Sequence, residues 1–210
     1  DGMGGMAKGD IASRIVLDAL LEFVTVGDSN ASPLRNSVLD AIETANTRVI
    51  ELGVGAGTTL SVLEFDENKF RSYQIGDSVI LAVGQRGKIK LETLSHSPVG
   101  YAVESGLLEA AAAINHQDRH MVSNFIGSSE LKIEVGSWFE FSDLDTIILA
   151  TDGLTDNLHI PEIVDTIRTG KLEAISENLV TLSTARMGAL SIDSPSKPDD
   201  LSFVIFRGNK

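Results

Sequence analysis

Cysteine is absent from the 210 residues, which excludes disulfides, thiolate nucleophiles and cysteine-held zinc or iron, and fits a reducing, cytoplasmic setting. Positive charge is scarce as well. Lys and Arg number 17 against 30 Asp and Glu, a net charge of −13; phosphate backbones and anionic lipid are repelled, so neither nucleic acid nor membrane is an expected partner. No apolar run approaches the roughly 20 residues of a membrane span; the longest, such as Ser78–Val83 and Thr146–Ala150, have strand length. No basic segment leads into an apolar one, so there is no signal peptide in the sequence, and a start at Asp1 leads us to expect further sequence upstream. What remains is ample core material: 42% hydrophobic residues and 22% charged, enough for one globular folding unit.

Hydrophobic spacing divides the chain. Ile11, Ile15, Ala19, Leu20 and Phe23 recur at three-and-four intervals within Asp10–Val26, predicting a helix with Asp10 as N-cap. Ser32-Pro33 is a cap-plus-N1 pair for a second helix, carrying Leu34, Val38, Leu39, Ile42, Ala45, Val49 and Leu52 and stopping at Gly53. The two are expected as antiparallel neighbours. The period then shortens: Thr58–Phe65, Phe70–Ile75, Val79–Val83 and Lys88–Leu94 are runs of β-formers separated by turn residues, which predicts an antiparallel meander. Between Ser95 and Ser129 the strand signal stops, and one or two short helices are expected over Val99–Ile114, inside a long insertion of the kind that is often functional. Leu131–Val135, Thr146–Ala150 and Leu201–Phe206 read as strands, Ile160–Thr169 and Lys171–Met187 as helices. Clustered strands and paired helices predict an α+β sandwich of two antiparallel sheets covered by helical layers.

Three segments put Asp beside Gly or a second Asp at the boundary of an apolar strand: Asp1-Gly2-Met3-Gly4-Gly5, Thr151-Asp152-Gly153-Leu154-Thr155-Asp156, and Pro198-Asp199-Asp200-Leu201. Carboxylates at strand ends can converge on one sheet edge, and hard divalent cations take oxygen ligands. Each Asp-Gly alone is first a turn dipeptide. Gly76-Asp77-Ser78 has the same two readings, hairpin turn or ion-facing loop. Other candidates read as structural: His116 and His120 lack a third zinc ligand nearby, Trp138 and Phe139 suit a core or hairpin, Asp143 and Asp145 suit turns and caps. Gly53–Gly57 is followed by no Gly-Lys-Ser/Thr and is no phosphate loop.

In order along the chain, Asp1-Gly2-Met3-Gly4-Gly5, Gly57-Thr58-Thr59, Ile75-Gly76-Asp77-Ser78, Thr151-Asp152-Gly153-Leu154-Thr155-Asp156 and Asp199-Asp200-Leu201-Ser202 resemble the motifs of bacterial metal-dependent protein serine/threonine phosphatases of the type 2C family. Ser95-His96-Ser97 through Glu104-Ser105-Gly106 to His116–His120 and Gly127 resembles that family's flap, giving one phosphatase domain over 1–210, incomplete at its N-terminus, with a flap-like insertion at about 95–129.

The resemblance implies a four-layer α-β-β-α sandwich that hydrolyses phosphoserine and phosphothreonine with a hydroxide bridging two divalent cations, Mn2+ or Mg2+. By the same resemblance Asp1 bridges the ions, the Gly2 carbonyl binds one, Asp152 and Asp199 bind the other, and Asp77 matches the position of a third, looser ion. It further implies a cytoplasmic monomer acting on phosphorylated protein and opposing a serine/threonine kinase. A side-chain nucleophile is not required, in keeping with the missing cysteine.

The sequence departs from the family in three places. The family's N-terminal strand pair, with its phosphate-binding arginine and its Glu-Asp pair, has no counterpart here, and no Lys or Arg offers an obvious substitute for the arginine; the complete protein is expected to turn over a phosphopeptide with manganese and this chain not to. Met3 stands where many eukaryotic members have a histidine, leaving protonation of the leaving group to water. Asp200 replaces the usual asparagine, as in sporulation and stress-response phosphatases that act on one partner protein. A regulatory phosphatase of that kind, which the well-developed insertion argues against, and a catalytically silent binding domain are the two alternatives.

Overall fold

Ala12, Val16 and Ala19 fall three to four residues apart and are all buried, so Gly9–Val26 winds into a helix, α1, with that stripe inward. The computed structural model of the chain describes residues 1–26, 33–113, 116–188 and 195–208. A second helix, α2 at Leu34–Ile50, buries Val38, Ala41, Ile42, Ala45 and Val49 and packs on α1, with Arg48 Nη2 2.9 Å from Glu22 Oε2. Asp10 is not the cap: α1 begins one residue earlier and keeps Asp10 in its first turn, where a carboxylate still meets the positive helix end. Pro33 is the N-cap of α2 instead of its first helical residue, with no side-chain hydrogen bond, and Ser32 lies outside the described residues.

The chain divides into two compact units. The first comprises Asp1–Phe65, Arg71–Gly76 and Val122–Ser137. Here α1 and α2 cover most of β1 (Leu60–Asp66) and of β2 (Lys69–Ile75), from Leu60 to Phe65 and from Arg71 to Ile75, and β2 pairs antiparallel with the two-residue β5 (Glu134–Val135) through Tyr73↔Val135. Leu60, Tyr73, Ile75 and Ile126 join the helix stripes in one apolar core. On this strand pair Glu64 Oε2 accepts from Arg71 Nε at 2.6 Å and from the Tyr73 hydroxyl at 2.5 Å, a cluster with little solvent access.

The second unit comprises Asp66–Phe70, Asp77–Met121 and Trp138–Lys210. Its four-stranded antiparallel sheet runs β4 (Ile89–Glu92), β3 (Val79–Val83), β7 (Thr146–Ala150), β8 (Phe203–Arg207). Val79, Leu81, Val83, Ile148 and Ala150 bury one face against α6 (Ile160–Ile167) and α7 (Leu172–Met187) through Ile163, Ile167, Ile175 and Leu179. Three short helices complete it: α3 (Pro98–Glu104), capped by the Ser97 hydroxyl accepting from Gly100 N–H, α4 (Ala110–Ala113) and α5 (Asp152–Thr155). Two antiparallel sheets, each covered by a helix pair, are thus present as expected.

The single meander is not. Gly76 separates two sheets: β2 belongs with β1 and β5, β3 with β4 and β7, because the Tyr73 face serves one core and the Leu81 face another. Gly76-Asp77 is therefore a link between sheets and not a hairpin turn. Of Leu131–Val135 only the last two residues are strand, whereas Phe139–Glu140 forms an unanticipated strand, β6, paired with Lys69 and Phe70 and fixed by the Phe139–Phe70 ring stack at 5.6 Å. The final strand starts at Phe203, two residues later than expected. Among the described residues no helix is long and apolar enough to cross a membrane.

Candidate metal centre

The register of the second sheet determines which residues meet at its end. Val79 and Phe203 both pair with Ala150, the last residue of β7, so the segments before β3, after β7 and before β8 share one edge. Thr151 N–H donates to the Ser202 carbonyl at 3.0 Å and Ser202 N–H to Thr151 Oγ1 at 3.2 Å. A Cβ on Gly153 would collide with the Asp200 carbonyl, so glycine is what lets the chain before β8 cross α5 so closely. Asp152 opens α5 and Asp199 precedes β8, and both reach the same point.

That point is the ammonium of Lys197. Its Nζ lies 2.9 Å from Asp152 Oδ2, 2.8 Å from Asp156 Oδ2 and 2.9 Å from Asp199 Oδ2. Burial alone would lower the Lys197 pKa, but the three carboxylates outweigh it and hold the value above the ordinary range. Asp156 is pushed up by burial, against the pull of Lys197; its Oδ2, close to the ammonium but outside hydrogen-bonding angles, is a buried oxygen without a hydrogen bond. Asp77, in the link before β3, is half-buried, and its carboxyl is raised to about 7, first by burial and then by the negative charge of Asp152.

Asn157 anchors the segment that carries Lys197 and Asp199. Fully buried, its Oδ1 accepts from Lys197 N–H at 2.9 Å, while its Nδ2 donates at 2.9 Å to the carbonyls of Lys197 and Gly153. Arg186 of α7 donates to the Asn157 carbonyl at 3.1 Å and pairs with Glu162 at 2.6 Å. Ser196 is held from both sides, its hydroxyl on the Arg186 carbonyl at 2.8 Å and its carbonyl on Arg119 at 3.1 Å.

Asp1 and Gly2 belong to the first unit. The Asp1 carbonyl accepts from Thr58 Oγ1 at 2.6 Å and Thr59 N–H at 2.8 Å, and Gly2 bridges Thr58. A Cβ on Gly2 would run into the Gly9 backbone at the start of α1. The Gly57-Thr58-Thr59 segment thus ties down the N-terminal motif.

Of the expected ligands, the second unit brings Asp77, Asp152 and Asp199 to one sheet edge. Asp156, part of the same motif, joins them; Lys197 and Asn157 were not anticipated, and the only sequence hint is a lone lysine two residues before Asp199. The residues fit a cation: a positive group already stands among three carboxylates, and a buried carboxylate oxygen has no hydrogen bond. Among the described residues no three His, Asp or Glu side chains stand ready-spaced as a metal-ligand set; the ammonium occupies the middle. Elsewhere, His116 Nδ1 accepts from Asp118 N–H at 3.1 Å, and Asp145 holds a turn through Ser142 N–H and pairs with Lys90.

Residues 1–182 match the family model for protein phosphatase 2C. The serine/threonine phosphatase stp of Listeria welshimeri is 28% identical over 179 residues, covering 80% of this chain and 69% of the relative. The serine/threonine protein phosphatase PstP of Mycobacterium tuberculosis is 26% identical over 98% of this chain, which spans only 38% of that relative. Among solved structures, the S. agalactiae serine/threonine phosphatase has a TM-score of 0.81 at 28% identity, covering all of this chain and 85% of its own. The catalytic domain of PstP in complex with two manganese ions has a TM-score of 0.78 at 22% identity, covering 98% of this chain and 84% of its own.

Proposed function

The chain belongs to the protein phosphatase 2C family, and on that premise we propose that it removes phosphate from phosphoserine and phosphothreonine in proteins, with two divalent cations, Mn2+ or Mg2+, held by its aspartates. The observation that carries this reading is the meeting of Asp152, Asp156 and Asp199 around one cationic point at 2.8–2.9 Å. Three carboxylates gathered around one point repel one another unless a cation lies between them. The relatives' names and the two manganese ions of the PstP catalytic domain support it.

In this reading the carboxylates of Asp1, Asp152 and Asp199 and the Gly2 carbonyl would hold the two ions, and Asp77 would attend a third, looser one. Bound cations supply the charge that neutralises phosphoryl oxygens and makes hydroxide available near neutral pH. The protein's own residues position the ligands: the Thr151–Ser202 hydrogen bonds lock β7 to the Asp199 segment, and Asn157 fixes the main chain at residue 197. A rigid sheet edge limits how far the carboxylates can move. The substrate is a phosphoprotein produced by a serine/threonine kinase, and the protein acts as a cytoplasmic monomer.

The test is phosphate release from a phosphothreonine peptide by the full-length protein. Turnover with Mn2+, lost after chelation and in Asp152→Asn and Asp199→Asn, is expected. Turnover that survives chelation or either substitution contradicts the proposal, and Mn2+ binding that ignores Asp152 leaves the silent-scaffold reading.

A further inference from the structure

We propose that Lys197 is a resident counter-ion of the carboxylate cluster, so that a divalent cation enters by displacing its ammonium. The proposal rests on the metal reading of the cluster and adds to it a residue that sets how tightly the metal is held. The ammonium lies within 2.8–2.9 Å of one oxygen each of Asp152, Asp156 and Asp199, and it donates a hydrogen bond to Asp152 Oδ2. A divalent ion bound to the same oxygens would stand within about 4 Å of that positive charge, where like charges repel by about 4 kcal/mol or more per unit pair at the effective dielectric of a protein surface. Occupancy by the lysine and by the metal is therefore exclusive.

The exchange needs only the side chain to move. Asn157 holds both the N–H and the carbonyl of Lys197, Arg119 and Arg186 hold Ser196, and Pro198 fixes its own φ and restricts the backbone of Lys197 before it. With the main chain fixed, the four-carbon stem swings the ammonium in or out while Asp199 stays in place, and the tether keeps the competitor at a high effective concentration. A compact charge on a flexible stem suits this better than an arginine fork would. The consequence is a fold that tolerates loss of metal, because the cluster is never left without a cation, and a metal affinity lower than the three aspartates alone would give.

Titration calorimetry with Mn2+ on the full-length protein tests this, using wild type, Lys197→Met, Lys197→Gln and Asp152→Asn, with thermal melts of each with and without Mn2+. Both Lys197 variants should bind Mn2+ about tenfold or more tightly than wild type, as expected for removal of one competing charge at this distance. Metal-free, they should melt below wild type, and saturating Mn2+ should raise their melting temperature by more than it raises the wild type's. A variant that folds only when Mn2+ is supplied supports the proposal equally. Unchanged or weaker Mn2+ binding in both Lys197 variants, with binding still abolished in Asp152→Asn, overturns the counter-ion role and leaves the metal centre standing. Wild type without Mn2+ binding, or Asp152→Asn that binds like wild type, overturns both.

Discussion

Asn157→Ala is the perturbation whose cost can be worked most directly from the geometry. The side chain makes three hydrogen bonds of 2.9 Å, two donated from Nδ2 to the Gly153 and Lys197 carbonyls and one accepted by Oδ1 from Lys197 N–H, at a position with no solvent exposure. At about 1 kcal/mol net for each bond the loss is about 3 kcal/mol, and more if the stranded main-chain groups find no water. For a chain of this size 1 kcal/mol moves the melting temperature by about 2–4 °C, so a fall of about 6–12 °C is expected. Asn157→Asp separates hydrogen-bond direction from packing. It keeps the shape but turns a second oxygen toward two carbonyl oxygens, and should destabilise at least as much as alanine. Thermal melts give the shift, urea midpoints with an unchanged slope confirm that stability moved, and Mn2+ affinity should fall as the Asp199 segment loosens. A shift under about 2 °C for Asn157→Ala, less than about 1 kcal/mol, or an Asn157→Asp protein as stable as wild type, would refute the anchoring argument.

Gly153→Ala drives a methyl into the Asp200 carbonyl; backbone cannot yield as a side chain can, and a loss of about 3 kcal/mol with weakened Mn2+ binding is expected, whereas a wild-type melt and affinity would contradict the crossing described here. Glu64→Gln removes the charge shared by Arg71 and Tyr73 in a buried setting, with an expected cost of about 3 kcal/mol in urea unfolding; a change within 0.5 kcal/mol, the usual surface range of about that size, would show the cluster to be incidental. Burial first, then the Glu64 contact, push the Tyr73 hydroxyl up to about 12. Its folded value thus exceeds the unfolded value of about 10, so its contribution is complete below about pH 10 and is lost as the pH rises toward about 12. Phenolate absorbance should show this late titration in wild type and an earlier one in Glu64→Gln; identical titrations in the two would refute the coupling.

The elements that sequence reasoning recovered residue for residue are β3 and β7. Both are short branched runs, β3 between Ser78 and Gly84 and β7 between Asp145 and Thr151, and in β3 every residue is buried, so neither periodicity nor partner had to be known. Helices α1 and α2 were legible from their three-and-four stripes, except at their starts, where capping depends on how the preceding backbone turns: Lys8, at φ 60°, already redirects the chain ahead of Gly9. The division of the meander at Gly76 was not legible, because strand pairing is non-local and β-formers on both sides of a glycine look alike. Strand β6 is two residues long and exists through its pairing with Lys69 and Phe70. At the candidate site, motif order singles out Asp77, Asp152 and Asp199 as expected ligands. Lys197 and Asn157 lie 40 residues apart, and their roles arise only where the ends of β7 and β8 meet; nothing local to Ser196-Lys197-Pro198 marks the lysine as a cluster resident.

The carboxylates of Asp152 and Asp199 are proposed to hold a divalent cation. Anomalous diffraction at the manganese edge, from crystals of the full-length protein grown with Mn2+, tests it most directly. A peak is expected about 2 Å from carboxylate oxygens of both residues, the distance of a small hard dication, with the Lys197 ammonium withdrawn from between them. An anomalous map without a peak there, with Lys197 still bridging Asp152, Asp156 and Asp199 at saturating Mn2+, would contradict it.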